Sequence, residues 1–407
     1  MENSNSARVV IDISHSFQTG FNTGIQRVVS HTITSLQKLG KNYVLIWHPF
    51  GSNDGFFEVT SLFPSKVSNR AFDMYKFYSQ NRFLKYLLVD KLFTRLSRSV
   101  YLKSYIDRTK KNNLIKKGLF PYERKASDKL LILDVFWHDI TLISKIEELH
   151  AEGMKVNIFF HDIFPLTNPE WFNNRVCSNY KKVFFRLMKI VDDVATSSRS
   201  NKKEIENYLS TTFSEIKRLK ISVISLSASI ARERISTNKQ KGSGILWVGT
   251  IEPRKNLDLL LDLVESYELS MPVFICGRVG WKSRETISRL RKLNKLGKVV
   301  WYANATDKKV LELAAVSNLG LITSKNEGFG LPLLEFRNFG LSVVAPRIEV
   351  FVEIDNGFVN FYDPDNLLSL AQTCLESKLF LQNSDDYNIK SWEMFAEELC
   401  LFISGNS

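Results

Sequence analysis

Cysteine is scarce in this sequence: Cys177, Cys276, Cys374 and Cys400 are the only four, and their wide spacing allows neither a Cys-x-x-Cys metal or redox pair nor a disulfide framework. Structural zinc is not expected, and a reducing compartment is. No apolar run approaches the roughly 18 residues needed to cross a bilayer. Residues 1–6 lack the basic start and apolar stretch of a signal peptide, so a cytoplasmic chain, not integral to a membrane, is expected. With 19 glycines and ten prolines in 407 residues, collagen-like and low-complexity architectures are excluded. A Gly-x-Gly-x-x-Gly dinucleotide fingerprint follows none of the predicted strands.

What is present is material for a large core, since 44% of residues are apolar and 12% aromatic. The length suits two domains of about 200 residues each. The net charge of +12 is concentrated: residues 70–125 hold fifteen Lys or Arg against four acids, so +11 of it lies in one segment. Aromatic and leucine anchors such as Tyr75, Phe83, Tyr86 and Phe93 interleave with those charges. Such a mixture suits an anionic membrane surface or a nucleic acid, or else a solvated basic hairpin whose aromatics pack inward.

The opening reads as a strand at residues 9–13, a loop ending Thr23-Gly24-Ile25-Gln26-Arg27, and a helix carrying Val28, Val29, Ile33 and Leu36 near the 3.6-residue period. Strands at residues 43–47, 130–134, 156–160 and 194–196 alternate with helical stretches at 140–152 and 202–209. That alternation predicts a parallel, helix-covered sheet in residues 1–231, with the basic segment inserted at about 70–125. A polar, aperiodic linker follows at 232–244. The second domain, 244–385, has strands at 245–248, 272–276, 299–301, 319–323 and 342–345, separated by helices at 256–266, 284–295, 307–316 and 331–339. A last helix in 386–407 is expected to return to the first domain. The fold class is thus α/β, two doubly wound Rossmann-like domains facing a cleft, with functional residues at the carboxyl ends of the strands.

The sharpest motif lies at such an end: Asn326-Glu327-Gly328-Phe329-Gly330-Leu331-Pro332-Leu333-Leu334-Glu335. Pro332 suits a first helical position, so residues 328–331 approach a helix N-terminus whose amides and dipole favour an anion such as a diphosphate. Glu327 outside the helix and Glu335 one turn inside it would meet different hydroxyls of one ligand. The loop Gly249-Thr250-Ile251-Glu252-Pro253-Arg254-Lys255-Asn256 follows the domain's first strand. Arg254 and Lys255 are placed there to neutralise a diphosphate, and Asn256 to cap the next helix. In Cys276-Gly277-Arg278-Val279-Gly280 the glycines serve either a turn or a ligand. In the first domain His161-Asp162 emerges from an apolar strand, and Gly24 lies in a loop where backbone could approach a substrate. Asp363-Pro364-Asp365 reads as a turn with a cap, and no metal is assigned.

These motifs together resemble the family 4 glycosyltransferases, retaining enzymes of the two-Rossmann GT-B fold. The resemblance rests on Thr23-Gly24-Ile25-Gln26-Arg27, His161-Asp162, Val248-Gly249-Thr250, Pro253-Arg254-Lys255-Asn256 and the spacing from Glu327 to Glu335. Within the family, Thr-Gly-Ile-Gln-Arg and His-Asp-Ile-Phe-Pro-Leu look most like bacterial mannosyltransferases of O-antigen or capsule synthesis. The resemblance implies a nucleoside-diphosphate sugar as co-substrate, GDP-mannose by the mannosyltransferase likeness, with no further cofactor. It implies that Lys255 holds the diphosphate and Glu335 the ribose. Glu327 with the amides of residues 328–330, and His161 from the opposite domain, would hold the donor sugar. Many family members carry Arg where this chain has Thr250, which leaves Arg254 or Arg278 to complete phosphate neutralisation.

The implied reaction moves a hexose, with retention, to a lipid-linked saccharide in surface-polysaccharide synthesis. Fixed cations and helix-end amides stabilise the departing diphosphate without a metal. The basic segment would then hold the enzyme peripherally on the inner face of the cytoplasmic membrane, and no nucleic-acid partner is expected. The competing classes are a nucleotide-dependent oxidoreductase, opposed by the missing glycine fingerprint, and a non-enzymatic membrane or nucleic-acid adaptor built on the basic segment.

Overall fold

The computed structural model describes residues 8–20, 23–59, 119–212, 219–228, 243–377 and 390–405. Most of the basic segment (70–118) and of the linker (232–242) lies outside them. Two sheets organise the rest. The first contains β1 (Arg8–Asp12), β2 (Tyr43–Trp47), β3 (Phe57–Val59), β4 (Leu119–Pro121), β5 (Asp128–Ile132), β6 (Lys155–Phe160), β7 (Asp193–Thr196) and β8 (Ile221–Val223). Their order is β4-β3-β2-β1-β5-β6-β7-β8, parallel except where β3 pairs antiparallel with β2 and β4. Residues 119–121, counted above with the basic insertion, therefore belong to the sheet, and the insertion leaves and re-enters at its edge between β3 and β4.

The second sheet contains β9 (Gly244–Val248), β10 (Val273–Cys276), β11 (Val300–Tyr302), β12 (Ser317–Leu321), β13 (Ser342–Pro346) and β14 (Val359–Tyr362). It is wholly parallel in the order β11-β10-β9-β12-β13-β14, the doubly wound arrangement. Such strands are covered on both faces, which is why they read as continuous apolar runs: Leu130, Leu131 and Ile132 are all fully buried, as are Val343, Val344 and Ala345. The strand order reverses between β1 and β5 in the first sheet and between β9 and β12 in the second. These switch points are where a crevice opens.

Some elements differ from expectation. Strand β12 ends at Leu321, so Thr323 and Ser324 already belong to the strand-end loop. The Asn174–Leu187 helix and β14 are not among the predicted elements. The first domain's early loop is shorter than expected, because the helix starts at Gly24. Thr23 caps it through a reciprocal capping box: Thr23 Oγ1 accepts from Gln26 N at 3.4 Å and Gln26 Oε1 accepts from Thr23 N at 2.9 Å.

The final helix, Trp392–Ser404, lies on the first domain. Trp392 Nε1 donates to the Ala228 carbonyl at 2.7 Å and its ring stacks on His31 at 4.8 Å. Phe395 meets Phe159 edge-on at 5.7 Å. Lys129 Nζ donates to the carbonyls of Ile403 and Ser404 at 2.9 and 3.2 Å, satisfying orphan acceptors at the helix C-terminus. Phe395, Leu399, Phe402 and Ile403 are buried, each worth about 1.5–3 kcal/mol relative to exposure. One apolar cluster includes Ile33, Phe159, Phe329, Phe351 and Phe395, and so joins both domains.

Candidate active site

At the switch point of the second sheet, the loop after β9 and the loop after β12 are stitched together by hydrogen bonds. Thr323 Oγ1 accepts from Trp247 Nε1 at 3.0 Å and donates to the Lys255 carbonyl at 2.7 Å, while Lys325 N donates to the Arg254 carbonyl at 2.8 Å. This lacing brings Arg254 and Lys255 onto Glu327. Arg254 Nη1 meets Glu327 Oε2 at 2.5 Å, and Lys255 Nζ pairs with Glu327 Oε1, which also accepts from Ser324 Oγ at 2.7 Å. Arg254 is further held by Glu252 at 3.1 Å and by the Asn326 carbonyl at 3.1 Å, with its guanidinium over the Phe164 ring.

The electrostatics follow from burial and pairing. Burial would raise Glu327, but Arg254 and Lys255 reverse this and hold its carboxyl down to about 2. Asp162, across the cleft, goes the other way: burial pushes it up to about 6 against the pull of Arg254. Arg254 and Lys255, placed by the sequence to neutralise a diphosphate, both share one carboxylate here. Asn256 does occupy the N-cap position, but in a left-handed conformation (φ 48°), and its side chain donates to Asp365 Oδ1 at 2.9 Å in place of the helix. Asp365 is a positive-φ turn residue, and Asn366 caps the helix that follows, Leu367–Glu376.

The glycine loop joins the domains. A Cβ on Gly328 would lie 2.0 Å from the His161 carbonyl oxygen, so only glycine fits there. Ser197 Oγ and Ser198 Oγ, just beyond β7, both donate to the Gly328 carbonyl at 2.9 Å. Gly330, at φ 97°, is the N-cap of the Leu331–Asn338 helix, and Pro332 is its second residue, one later than expected. Phe329 is a core side chain, 7% exposed, so a ligand can reach only its backbone. Glu335 is buried and lies 3.5 Å from Arg27 Nη1 of the first domain, and Arg27 Nη2 also pairs with Asp307.

His161 is partly buried, and its Nε2 donates to the Leu133 carbonyl at 2.8 Å. Burial holds the imidazole down to about 4, so the ring is neutral, with Nδ1 as its lone-pair nitrogen. Gly24 is exposed on the first helical turn, and a Cβ there meets no protein atom within 4 Å. Thr250 is partly buried and packs on Gly280, where an added Cβ would come within 2.9 Å of Thr250 Cγ2. Gly277 and Gly280 serve the close approach of two strand-end loops: added Cβ atoms would lie 2.1 Å from Gly249 O and 2.6 Å from Ile251 O. Arg278 between them is exposed, and its side chain makes no hydrogen bond or ion pair among the described residues.

The cleft therefore gathers His161, Arg254, Lys255, Glu327 and Gly328, with Glu335 and Leu331 on the adjoining helix, and leaves Gly24 exposed. Sequence reasoning missed Ser197 and Ser198. Applying the strand-end rule to β7, as to β6, would have found them.

Residues 229–375 match the family described as "Glycosyl transferases group 1". The match takes in most of the second domain. The chain is 27% identical over 298 residues to the serotype-specific mannosyltransferase WbdA of Escherichia coli, covering 67% of this chain but 36% of that relative. It is 28% identical over 138 residues to O-antigen chain mannosyltransferase B of the same species, covering 32% of this chain and 36% of the relative. The chain thus spans about a third of the length of these curated relatives. Sucrose-phosphate synthase of Thermosynechococcus elongatus superposes with a TM-score of 0.57 at 13% identity, over 98% of this chain and 94% of that one. That likeness extends beyond the glycosyltransferase domain to the whole fold, which is GT-B: two Rossmann-like domains across a cleft.

Proposed function

We propose that the protein transfers a mannosyl residue from a nucleoside-diphosphate sugar, GDP-mannose, to a saccharide acceptor with retention of anomeric configuration, in the synthesis of a surface polysaccharide such as O-antigen. The observation that carries this is the convergence of Lys255, Arg254 and Glu327 at the switch point of a glycosyltransferase domain, one helical turn from Glu335. The relatives named as mannosyltransferases support the choice of sugar.

In this reading Lys255 takes the diphosphate, assisted by exposed Arg278, because Arg254 is occupied by Glu252 and Glu327. Glu335 accepts from the ribose. Glu327, deprotonated at any physiological pH, accepts from a hydroxyl of the donor sugar, and neutral His161 meets that sugar from the other domain. As the bond from the anomeric carbon to the diphosphate oxygen breaks, that carbon becomes oxocarbenium-like and the leaving charge settles among Lys255, Arg278 and the amides of the 328–331 loop. The acceptor hydroxyl attacks from the leaving-group face, and its proton passes to a departing phosphate oxygen. Products are the glycoside and the nucleoside diphosphate.

No helix among the described residues is long and apolar enough to cross a membrane. We place the protein at the inner face of the cytoplasmic membrane through its +11 segment, with a lipid-linked acceptor presented there. A thermal-shift panel of nucleotide sugars, followed by NMR of the anomeric signal in the product, tests the reading. Stabilisation by GDP-mannose and an α-linked product support it, whereas stabilisation by NAD instead would sink it.

A further inference from the structure

The first sheet has its own switch point, between β1 and β5, and it carries a cluster that the donor chemistry does not use. Here His15, His138 and Phe50 form a triangle of rings, with centroids 5.0 Å apart for the two histidines, 6.2 Å for His15 to Phe50 and 5.2 Å for Phe50 to His138. His138 is exposed, Phe50 is partly so, and the His15 side chain keeps 14% exposure. The floor is polar: Asp134 Oδ1 stands 4.0 Å from His15 Nδ1, and buried Asp12 Oδ2 and Ser16 Oγ have no hydrogen-bond partner.

A relay of hydrogen bonds fixes the state of His15. The capping box commits Gln26 Oε1 to the Thr23 amide, so the Gln26 NH2 group must donate. It does so to Thr19 Oγ1 at 2.7 Å and toward His15 Nδ1 at 3.3 Å, while Thr19 Oγ1 itself donates to the His15 carbonyl at 2.8 Å. His15 Nδ1 is therefore an acceptor and the proton resides on Nε2, which makes no hydrogen bond among the described residues. Burial, with His138 adding to it, holds His15 down to about 4, so the imidazole stays neutral.

We infer that His15, His138 and Phe50 form the subsite for the terminal pyranose of the acceptor, and that Gln26 is a positioning residue presenting His15 as an Nε2–H donor. A neutral His15 with a free Nε2–H suits the oxygen of a sugar hydroxyl, and the Phe50 face suits the C–H face of a pyranose. The inference rests on the proposed glycosyl transfer, and it explains why the Thr-Gly-Ile-Gln-Arg motif sits beside the cleft. Its glutamine would serve the acceptor side, while its arginine reaches Glu335 on the donor side.

The test is NMR titration of the full chain with methyl α-D-mannopyranoside, and separately with GDP. The mannoside should shift the His15 and His138 ring signals. His15→Ala and Phe50→Ala should each weaken it about tenfold, roughly the worth of one such contact, with GDP affinity unchanged. Gln26→Glu preserves the capping box, for which Glu is equally suited, but removes the amide donor. The ¹⁵N signature of His15 should then move its proton onto Nδ1, and mannoside binding should fall. Unmoved ring signals at saturating mannoside, or an unchanged tautomer in Gln26→Glu, would overturn the inference. A wild-type chain that fails to bind GDP but still shifts these rings would strike the donor reading and leave the subsite standing.

Discussion

Replacing Glu327 by Gln separates two roles that the site combines in one carboxylate. Its carboxyl is held near 2 where the ordinary value is 4.5, which corresponds to about 3 kcal/mol of stability. Because the folded value is depressed, that stability is present above pH 4.5 and lost as pH falls toward 2. Glu327→Gln should thus cost about 3 kcal/mol at pH 7, in line with breaking a buried ion pair, and somewhat under half of that at pH 3. Binding should move the opposite way. Lys255 is committed to Glu327, so a diphosphate must compete with that carboxylate for it, and the amide removes the competitor. A charge-assisted hydrogen bond is worth about 1.5–3 kcal/mol, so affinity for GDP should rise roughly 10- to 100-fold while sugar transfer collapses. Calorimetry with GDP, urea unfolding at pH 7 and pH 3, and turnover with GDP-mannose measure all three. If GDP affinity falls in step with stability, the carboxylate supports the cations instead of competing for them, and the reasoning is refuted.

Gly328→Ala should force the domains apart by about 1 Å at the His161 carbonyl, destabilising by about 1–3 kcal/mol and lowering kcat on the order of 100-fold. Gly24→Ala, which meets open space, is the matched control, and equal kinetics for the two variants would contradict the close-contact argument. Asp162, raised to about 6, destabilises the fold above that pH and stops doing so as pH falls toward the ordinary 3.8. Asp162→Asn should therefore gain up to about 3 kcal/mol at pH 8 and nothing at pH 4 in chemical denaturation, and a pH-independent difference would refute it. Sedimentation with liposomes should show binding that rises with anionic lipid and weakens with salt. Lys/Arg→Glu changes at Arg82, Lys85, Lys91 and Arg95 should release the protein, while equal binding to neutral vesicles would refute the membrane assignment.

The alternation of strands and helices was legible because buried parallel strands are written as local apolar runs. What resisted reading was local evidence that cancels. The Asn174–Leu187 helix carries Tyr180, Val183, Phe184 and Leu187 at helical spacing, but its polar first half dilutes the pattern. Strand β14 is four residues with Asn360 inside, whose amide is satisfied by Ser342 Oγ on the neighbouring β13, a partner only the fold supplies. At the site, the strand-end rule found Lys255, Glu327 and His161 individually. That Arg254 and Lys255 would both close onto Glu327 depends on backbone lacing across some 70 residues, which no spacing rule contains. Gly328 was read as an anion-binding glycine, and its close approach to the neighbouring domain's carbonyl is a further constraint that only the fold supplies.

The final helix gives the chain two covalent crossings between its domains, one between residues 228 and 243 and a return between 377 and 390. A single tether behaves as a swivel, free about every axis. Two tethers define a line, and rotation about that line is the relative motion they resist least. Anchoring the returning helix through Trp392 and Lys129 thus ties both halves of the cleft to one register, in which Gly328 meets the His161 carbonyl.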